Sequence, residues 1–332
     1  MNIDQSLLWP LTLPYGAVVR LKARAYEIGI LRQQRLPGVV ISVGNLTTGG
    51  TGKTPMVLWL AERLLAEGKK TGILTRGYHG ENSPIGSTAD EVQLLQRRLG
   101  DRVAFGIGAD RFARGSELAR RGVDWFILDD GFQHQQLARD VDIVLIDATN
   151  PFGGGHLLPA GRLREPKAAL SRADIVVITR SAHAPAVEAA IRRESRAPIF
   201  YASVRLDSVM PWSPKDAPPE IADMQRKKLF AFCGIGNPSA FVANLREWGF
   251  QIVAERFFPD HHRYTPEDVK VIESEACTTG ADALICTEKD TFNLANAQFH
   301  SFDVSYCRIS LQMDRAEEFW QAIVSAIESA HR

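Results

Sequence analysis

Apolar and polar positions alternate along this chain in blocks that read as strands and helices in turn. Val39-Val40-Ile41-Ser42-Val43 is mostly β-branched and apolar, the composition of a buried strand. After a polar, glycine-rich interval, Val57, Leu60, Ala61, Leu64 and Leu65 recur at helical spacing, and Gly68 ends that helix. Residues 71–75, 103–107, 123–130, 141–147 and 174–179 read as further hydrophobic strands. Helices are predicted from Ala89 onward and from Asp110-Arg111 to Arg121. Strands of this kind, separated by helices, predict an α/β fold: a parallel sheet with helices on both faces. Residues 207–228 carry Pro211, Pro214, Pro218 and Pro219 and read as a linker between a core at 37–206 and a smaller C-terminal α/β domain at 229–332. In the latter, strands are expected near 229–233 and 283–287 and helices near 239–248 and 316–330.

The polar interval is the most informative stretch. Thr47-Thr48-Gly49-Gly50-Thr51-Gly52-Lys53-Thr54 lies between a strand and a helix. Glycines there let backbone N–H groups turn toward an anion, and the helix N-terminus adds positive potential. Lys53 can reach the β- and γ-phosphates, and the Thr54 hydroxyl is placed for Mg²⁺. Strand, loop and helix together make the predicted sheet P-loop NTPase-like, although the strict pattern opens with Gly where Thr47 stands. The strand at 123–130 ends in Asp129 and Asp130, the position from which a P-loop protein holds Mg²⁺ or its water. Helix capping or a turn is the plainer account of the same two acids. Asp90 and Glu91 likewise open a helix, where carboxylates are favoured electrostatically.

The N-terminus changes the picture further. Residues 7–15 are apolar, contain Trp9, and are broken by Pro10 and Pro14; they lack the basic start and small-residue cleavage site of a secretory signal. Residues 16–36 read as a basic amphipathic helix in which Arg20, Lys22, Arg24, Arg32 and Arg35 outnumber the single acid Glu27. Residues 1–36 fit either a membrane-interface segment or a helix packed on the core with a solvated basic face. No apolar run is long enough to span a membrane. At 332 residues, a prior of roughly 150 per domain gives about two domains. Lys+Arg and Asp+Glu both total 39, which argues against bulk nucleic-acid binding. Cys233, Cys277, Cys286 and Cys307 show no C-x-x-C spacing and are expected as small core residues. His261 and His262 are adjacent, but no third ligand at metal-site spacing is evident. The glycine-rich, basic loop from Gly153 to Pro166 fits either substrate-phosphate contacts or a structural role.

Taken in order, Val43-Gly44-Asn45 with the Gly-Lys-Thr-Pro loop, Arg76-Gly77-Tyr78, Asp129-Asp130-Gly131-Phe132-Gln133-His134, Leu157-Leu158-Pro159-Ala160-Gly161, Leu163-Arg164-Glu165-Pro166, Gly234-Ile235-Gly236-Asn237-Pro238, Asp260-His261-His262 and Thr287-Glu288-Lys289-Asp290 closely resemble the tetraacyldisaccharide 4′-kinase family. The resemblance implies transfer of the ATP γ-phosphate to the 4′-hydroxyl of a tetraacylated glucosamine disaccharide 1-phosphate. It also implies dependence on Mg²⁺ and a peripheral position on the cytoplasmic face of the bacterial inner membrane; no protein partner is implied. It makes Asp90 the base, working with His261, and places Lys53, Asp129 and Asp130 in the catalytic machinery. Glu165 becomes a further metal candidate. Arg76, Arg111, Arg162 and Arg164 lie in or beside the family's loops and become candidates for the lipid headgroup. Ala89-Asp90-Glu91-Val92 departs from the family's Gly-Asp-Glu-Pro by losing the Gly and Pro.

Two other classes compete. A membrane-associated P-loop ATPase switch carries Lys-Gly-Gly-x-Gly-Lys-Thr, and Thr48 stands where its first Lys would be. A nucleotide-gated lipid-binding protein needs no base, whereas this chain keeps Asp90, Asp129 and Asp130.

Overall fold

The computed structural model describes residues 9–77, 90–213, 217–294 and 297–331. In chain order the elements are α1 (Trp9–Glu27), β1 (Val39–Asn45), α2 (Lys53–Ala66), β2 (Thr71–Thr75), α3 (Asp90–Leu99), β3 (Ala104–Ile107), α4 (Arg111–Arg120), β4 (Trp125–Asp129), β5 (Val141–Asp147), β6 (Ile175–Thr179), α5 (Pro185–Arg192) and β7 (Ile199–Pro211). They continue with α6 (Ile221–Arg226), β8 (Lys228–Cys233), α7 (Pro238–Glu247), β9 (Gln251–Phe257), α8 (Pro266–Thr278), β10 (Ala283–Thr287), α9 (Asp290–Asn293), β11 (Val304–Met313) and α10 (Ala316–Ala330).

Two compact units emerge. The first comprises residues 1–80, 98–204 and 311–332; the second comprises 81–97 and 205–310. In the first, parallel strands run in the order β3-β2-β4-β1-β5-β6-β7, with β1 central between β4 and β5. The central strands are buried on both faces, which explains their unbroken apolar sequence. The register pairs Val43 with Asp129 and Asn45 with Leu145, so the P-loop and the acids of β4 leave the same, carboxyl edge of the sheet. That edge is where open parallel sheets bind ligands. In the second unit, β11-β10-β8-β9 form a parallel sheet between two apolar layers: α7 with Phe241 and Leu245 on one side, and α8 with Val269 and Ile272 on the other.

This division differs from the expected boundaries. Residues 207–228 are not a free linker, because β7 continues to Pro211 and α6 follows. Pro211 ends the strand and Pro218 and Pro219 lie ahead of α6, where missing N–H groups do no harm, while Pro214 lies outside the described residues. Residues 81–97 group with the second unit, although the chain reaches them from β2. The last helix, α10, returns to the first unit: Phe319 is fully buried and lies 5.3 Å from both Trp59 and Phe200, and Arg63 grips Glu317 through two bonds of 2.7 and 2.9 Å. Pattern reading also overlooked β7, β9, β11, α5 and α8. The capping box of Thr265 and Asp268 is the local signal that marks α8.

At the N-terminus, α1 runs straight through both prolines and stops at Glu27, instead of starting at Gly16 and reaching Leu36. Pro10 occupies the first turn, whose N–H groups have no helical partner in any case. Pro14 removes one later bond. Residues 1–8 of this segment, and Tyr78 and Ala89 of the motifs above, lie outside the described residues. Three cysteines are buried as expected, while Cys277 is exposed on α8.

Candidate functional site

The P-loop is held at several points. Gly52 precedes α2 with φ 92°, a left-handed conformation suited to glycine, and Gly49 has φ 119° where a Cβ would collide with the Arg162 guanidinium. Thr48 N donates to Arg162 O at 2.8 Å, and Arg162 Nε donates back to Thr48 O at 3.1 Å. Thr47 forms an antiparallel bridge with Leu163. Thr179 Oγ1, at the end of β6, donates to Thr51 O at 3.0 Å. Thr54 is buried in the first turn of α2. Gly50 is open, with no atom near the place of a Cβ. Asn45 ends β1 and braces the loop: its Nδ2 donates to Thr47 O at 2.9 Å, its Oδ1 accepts from Lys53 Nζ at 3.4 Å, and its carbonyl accepts from Gln133 Nε2 at 2.9 Å.

Lys53 also lies 3.5 Å from Asp130. Asp130 follows β4 with φ 51° and accepts two bonds of 2.8 Å from Arg164 Nη1. Asp129 is buried at the strand end and accepts from Thr75 Oγ1 at 3.2 Å. Glu165 is buried; its Oε2 accepts from Arg172 at 2.9 Å, while its Oε1 is buried with no hydrogen-bond partner among the described residues. Hydroxyl and carboxylate oxygens with one orphaned carboxylate atom suit a hard divalent cation. No group of three acids, histidines or cysteines converges into a metal cage among the described residues. Mg²⁺ typically uses only one or two carboxylates together with substrate phosphates, so the residues fit that ion.

The four arginines separate. Arg162 and Arg164 are engaged with the loop and Asp130, as above. Arg76 is exposed just after β2. Arg111, the first residue of α4, is buried; its Nη1 donates to His134 Nδ1 at 3.3 Å and its Nε has no partner among the described residues. Burial pulls its pKa down, opposed by Asp130. His134 is pushed down to about 4, first by burial and then by Arg111 and Arg139, so it is neutral and its Nδ1 accepts.

In the second unit, His261 Nδ1 lies 3.0 and 2.9 Å from the two carboxylate oxygens of Asp90, the first residue of α3. Asp90 is buried. His261 has φ 60°, and its N–H donates to Gly234 O at 3.1 Å. Gly234 N in turn donates to Asp290 Oδ1 at 2.8 Å, and Asp290 also accepts from Tyr264 and from Thr287. The motifs around Gly234 and Asp290 therefore build the loop that presents His261. The Asp90 hydrogen bond raises the His261 pKa against burial. His262 is structural: it stacks on Phe258 at 4.6 Å and its Nε2 lies 2.9 Å from Asp268, in the capping box of α8.

The family model for "Tetraacyldisaccharide-1-P 4'-kinase" (LpxK) matches residues 5–328. The chain belongs to this kinase family. The tetraacyldisaccharide 4′-kinase of Geobacter metallireducens is 43% identical over 305 residues, 87% of this chain and 88% of the relative. That of Chlorobium phaeovibrioides is 36% identical over 336 residues, covering 94% of each. The LpxK of Aquifex aeolicus, crystallised in complex with ATP, is similar with a TM-score of 0.72 at 28% identity, covering 97% of this chain and 99% of that one. As a member of the 4′-kinase family the chain is an ATP-binding phosphotransferase with an alcohol acceptor, serving lipid A biosynthesis. No described helix is long and apolar enough to cross a membrane.

Sequence reading passed over several residues that brace this 4′-kinase site. Asn45 and Gln133 sit inside recognised motifs without a role, although a polar side chain ending an apolar strand is itself a signal. Thr179 and Arg172 carry no local signal; only the register of β5 and β6 and the fold of residues 163–172 bring them in.

Proposed function

We propose that this 4′-kinase holds ATP on residues 47–54, orients its acceptor hydroxyl with Asp90 and His261, and works from the cytoplasmic face of the inner membrane. The acceptor is the 4′-hydroxyl of a tetraacylated glucosamine disaccharide 1-phosphate. Phosphoryl transfer passes through a loose transition state, so positioning and charge neutralisation carry the catalysis. Lys53 supplies a positive charge to the phosphates. Thr54, Asp129 and Asp130, with Glu165 as a further candidate, would hold Mg²⁺, which neutralises phosphate charge when bound. Asp90 accepts the hydroxyl proton as the new O–P bond forms and the bond to ADP breaks. His261 holds Asp90 in place and, when protonated, stabilises its charge.

The observation that supports transfer to an alcohol, rather than simple ATP cleavage by a switch, is the Asp90–His261 contact: a buried carboxylate steered by an imidazole is equipped to accept a hydroxyl proton. For the headgroup, Arg111 and Arg76 are favoured over Arg162 and Arg164, which are engaged elsewhere. A guanidinium with an open, buried N–H favours a phosphate oxygen.

Membrane attachment is supported by α1. Thr12 and Gly16 face the protein, while Trp9, Leu11, Leu13, Val18 and Leu21 are exposed beside Arg20, Lys22 and Arg24. Exposed apolar residues flanked by cations suit an anionic lipid surface.

The deciding experiment incubates the protein with γ-labelled ATP and the disaccharide 1-phosphate in anionic vesicles. Label in the lipid, located at the 4′ position by fragmentation, is the expected outcome. Label appearing only as free phosphate would establish the ATPase switch instead.

A further inference from the structure

The turn from β10 into α9 carries Thr287-Glu288-Lys289-Asp290. Lys289 Nζ donates to Glu91 Oε1 at 2.6 Å. Glu91 follows Asp90 in the first turn of α3. The same turn grips α3 again further along: Arg97 Nη1 donates to Thr291 Oγ1 at 2.8 Å, and its guanidinium lies 3.9 Å from the centre of the Phe292 ring. The Asp90–His261 contact is the third attachment. The Arg97 contacts hold the far part of α3, and the Lys289 contact holds the turn that carries Asp90.

We infer that Lys289 is a positioning residue for the reaction: clamped to Glu91, its ammonium seats the first turn of α3 so that Asp90 meets His261. This rests on Asp90 being the base.

The charges around His261 support the same role. Its Nδ1 faces Asp90 of α3, and its Nε2 lies 3.8 Å from Asp260 on its own loop. Glu91 stands beside Asp90, and Lys289 is the cation opposing the imidazolium. Burial works against the Lys289 charge, yet Glu91, Asp90 and Asp260 outweigh it and hold the ammonium above its usual range. Asp90 acts on His261 more strongly than Lys289 does, its hydrogen bond most of all, so a displaced Asp90 leaves the imidazole giving up its proton at lower pH.

The test measures kcat, ATP Kd and melting temperature for full-length Lys289→Gln, Lys289→Arg, Glu91→Gln and Asp90→Asn, using ATP and the disaccharide 1-phosphate. His261 is titrated by NMR in parallel. Lys289→Gln should lower kcat on the order of 10- to 100-fold with ATP Kd unchanged, as expected for a misplaced base. Lys289→Arg should recover most of that loss. Glu91→Gln, at a half-exposed position, should reproduce it, and the double variant should be no worse than the poorer single. His261 should lose its proton at lower pH in Lys289→Gln, because the Asp90 hydrogen bond that chiefly raises its pKa is weakened. Full kcat in Lys289→Gln or Glu91→Gln, or a lower melting temperature with kcat retained, overturns the role of Lys289. If Asp90→Asn keeps full kcat, the base itself is wrong and the Lys289 proposal falls with it. Loss in Asp90→Asn alone removes only Lys289.

Discussion

The two units restrain their key carboxylates by different means. In the first, Asp130 is gripped by the Arg164 guanidinium and lies near the Lys53 ammonium, and Asp129 is held by a threonine hydroxyl. In the second, Asp90 is held by His261, the side chain whose charge changes near neutrality. The first arrangement suits the polyanion proposed to bind there. The second suits the base proposed at Asp90, whose imidazole partner can be charged or neutral.

The largest effect should come from the first unit. Lys53→Ala should lower lipid phosphorylation on the order of 10³-fold or more, because it deletes transition-state charge stabilisation. Near-normal turnover would detach the P-loop from the chemistry.

Next in size is the second unit. Asp90→Asn and His261→Ala should each reduce kcat on the order of 10²-fold with ATP Kd intact, the scale of general-base catalysis. The double variant should match the poorer single, since the two act as one unit. Multiplicative losses would show that they act independently. A lower melting temperature with kcat retained would instead make Asp90 a helix cap.

Headgroup recognition should be a smaller effect. Arg111→Ala should raise the KM for the lipid about tenfold with little change for ATP, a magnitude in keeping with loss of a charged hydrogen bond. Arg162→Ala should disturb ATP binding instead, because Arg162 braces Thr48. The reverse pattern would relocate the headgroup site. Weaker still, Leu21→Asp should reduce binding to anionic vesicles, and salt should reduce binding of the parent protein, as each basic residue at such a surface contributes about 1 kcal/mol. Unchanged sedimentation would return α1 to an ordinary surface helix.

The smallest effects concern pH, and the two histidine environments differ in sign. The His261 pKa is raised, so its contact with Asp90 stabilises the fold fully below the unfolded value of about 6.5, and the stabilisation is lost as pH rises through the folded value. His134 is lowered to about 4; staying neutral in the fold, it draws stability away as pH falls from 6.5 toward that value. Melting curves of Asp90→Asn should therefore lose the stabilisation below neutrality. Those of His134→Gln should flatten the decline in acid. An unchanged acid limb in His134→Gln would mean that His134 is already protonated in the folded protein.

What the sequence by itself determined is local. A P-loop is built from neighbours: the strand, the glycines, Lys53 and Thr54 are contiguous, and the conformations they need follow from their own backbone preferences. The same holds for the apolar strands of the first unit and for α10, whose bounds follow from periodicity. What only the tertiary structure decided is which distant side chains meet. Asp90 and His261 are 171 positions apart. Composition is silent on their contact, because topology brings α3 to the loop after β9 within a unit that pattern reading had divided between two domains. Likewise His261 and His262 are indistinguishable as a pair of letters; the first reaches Asp90 because Gly234 and Asp290 fix its loop, and the second is absorbed by Asp268 and Phe258. Pro14 looked like a break because propensity counts the lost hydrogen bond, whereas Tyr15 donating to Arg164 O and Gly16 packed on Leu157 hold α1 on the first unit through contacts far along the chain. Where a residue's partners lie within a few positions the sequence suffices; where they are a hundred positions away, the fold selects them.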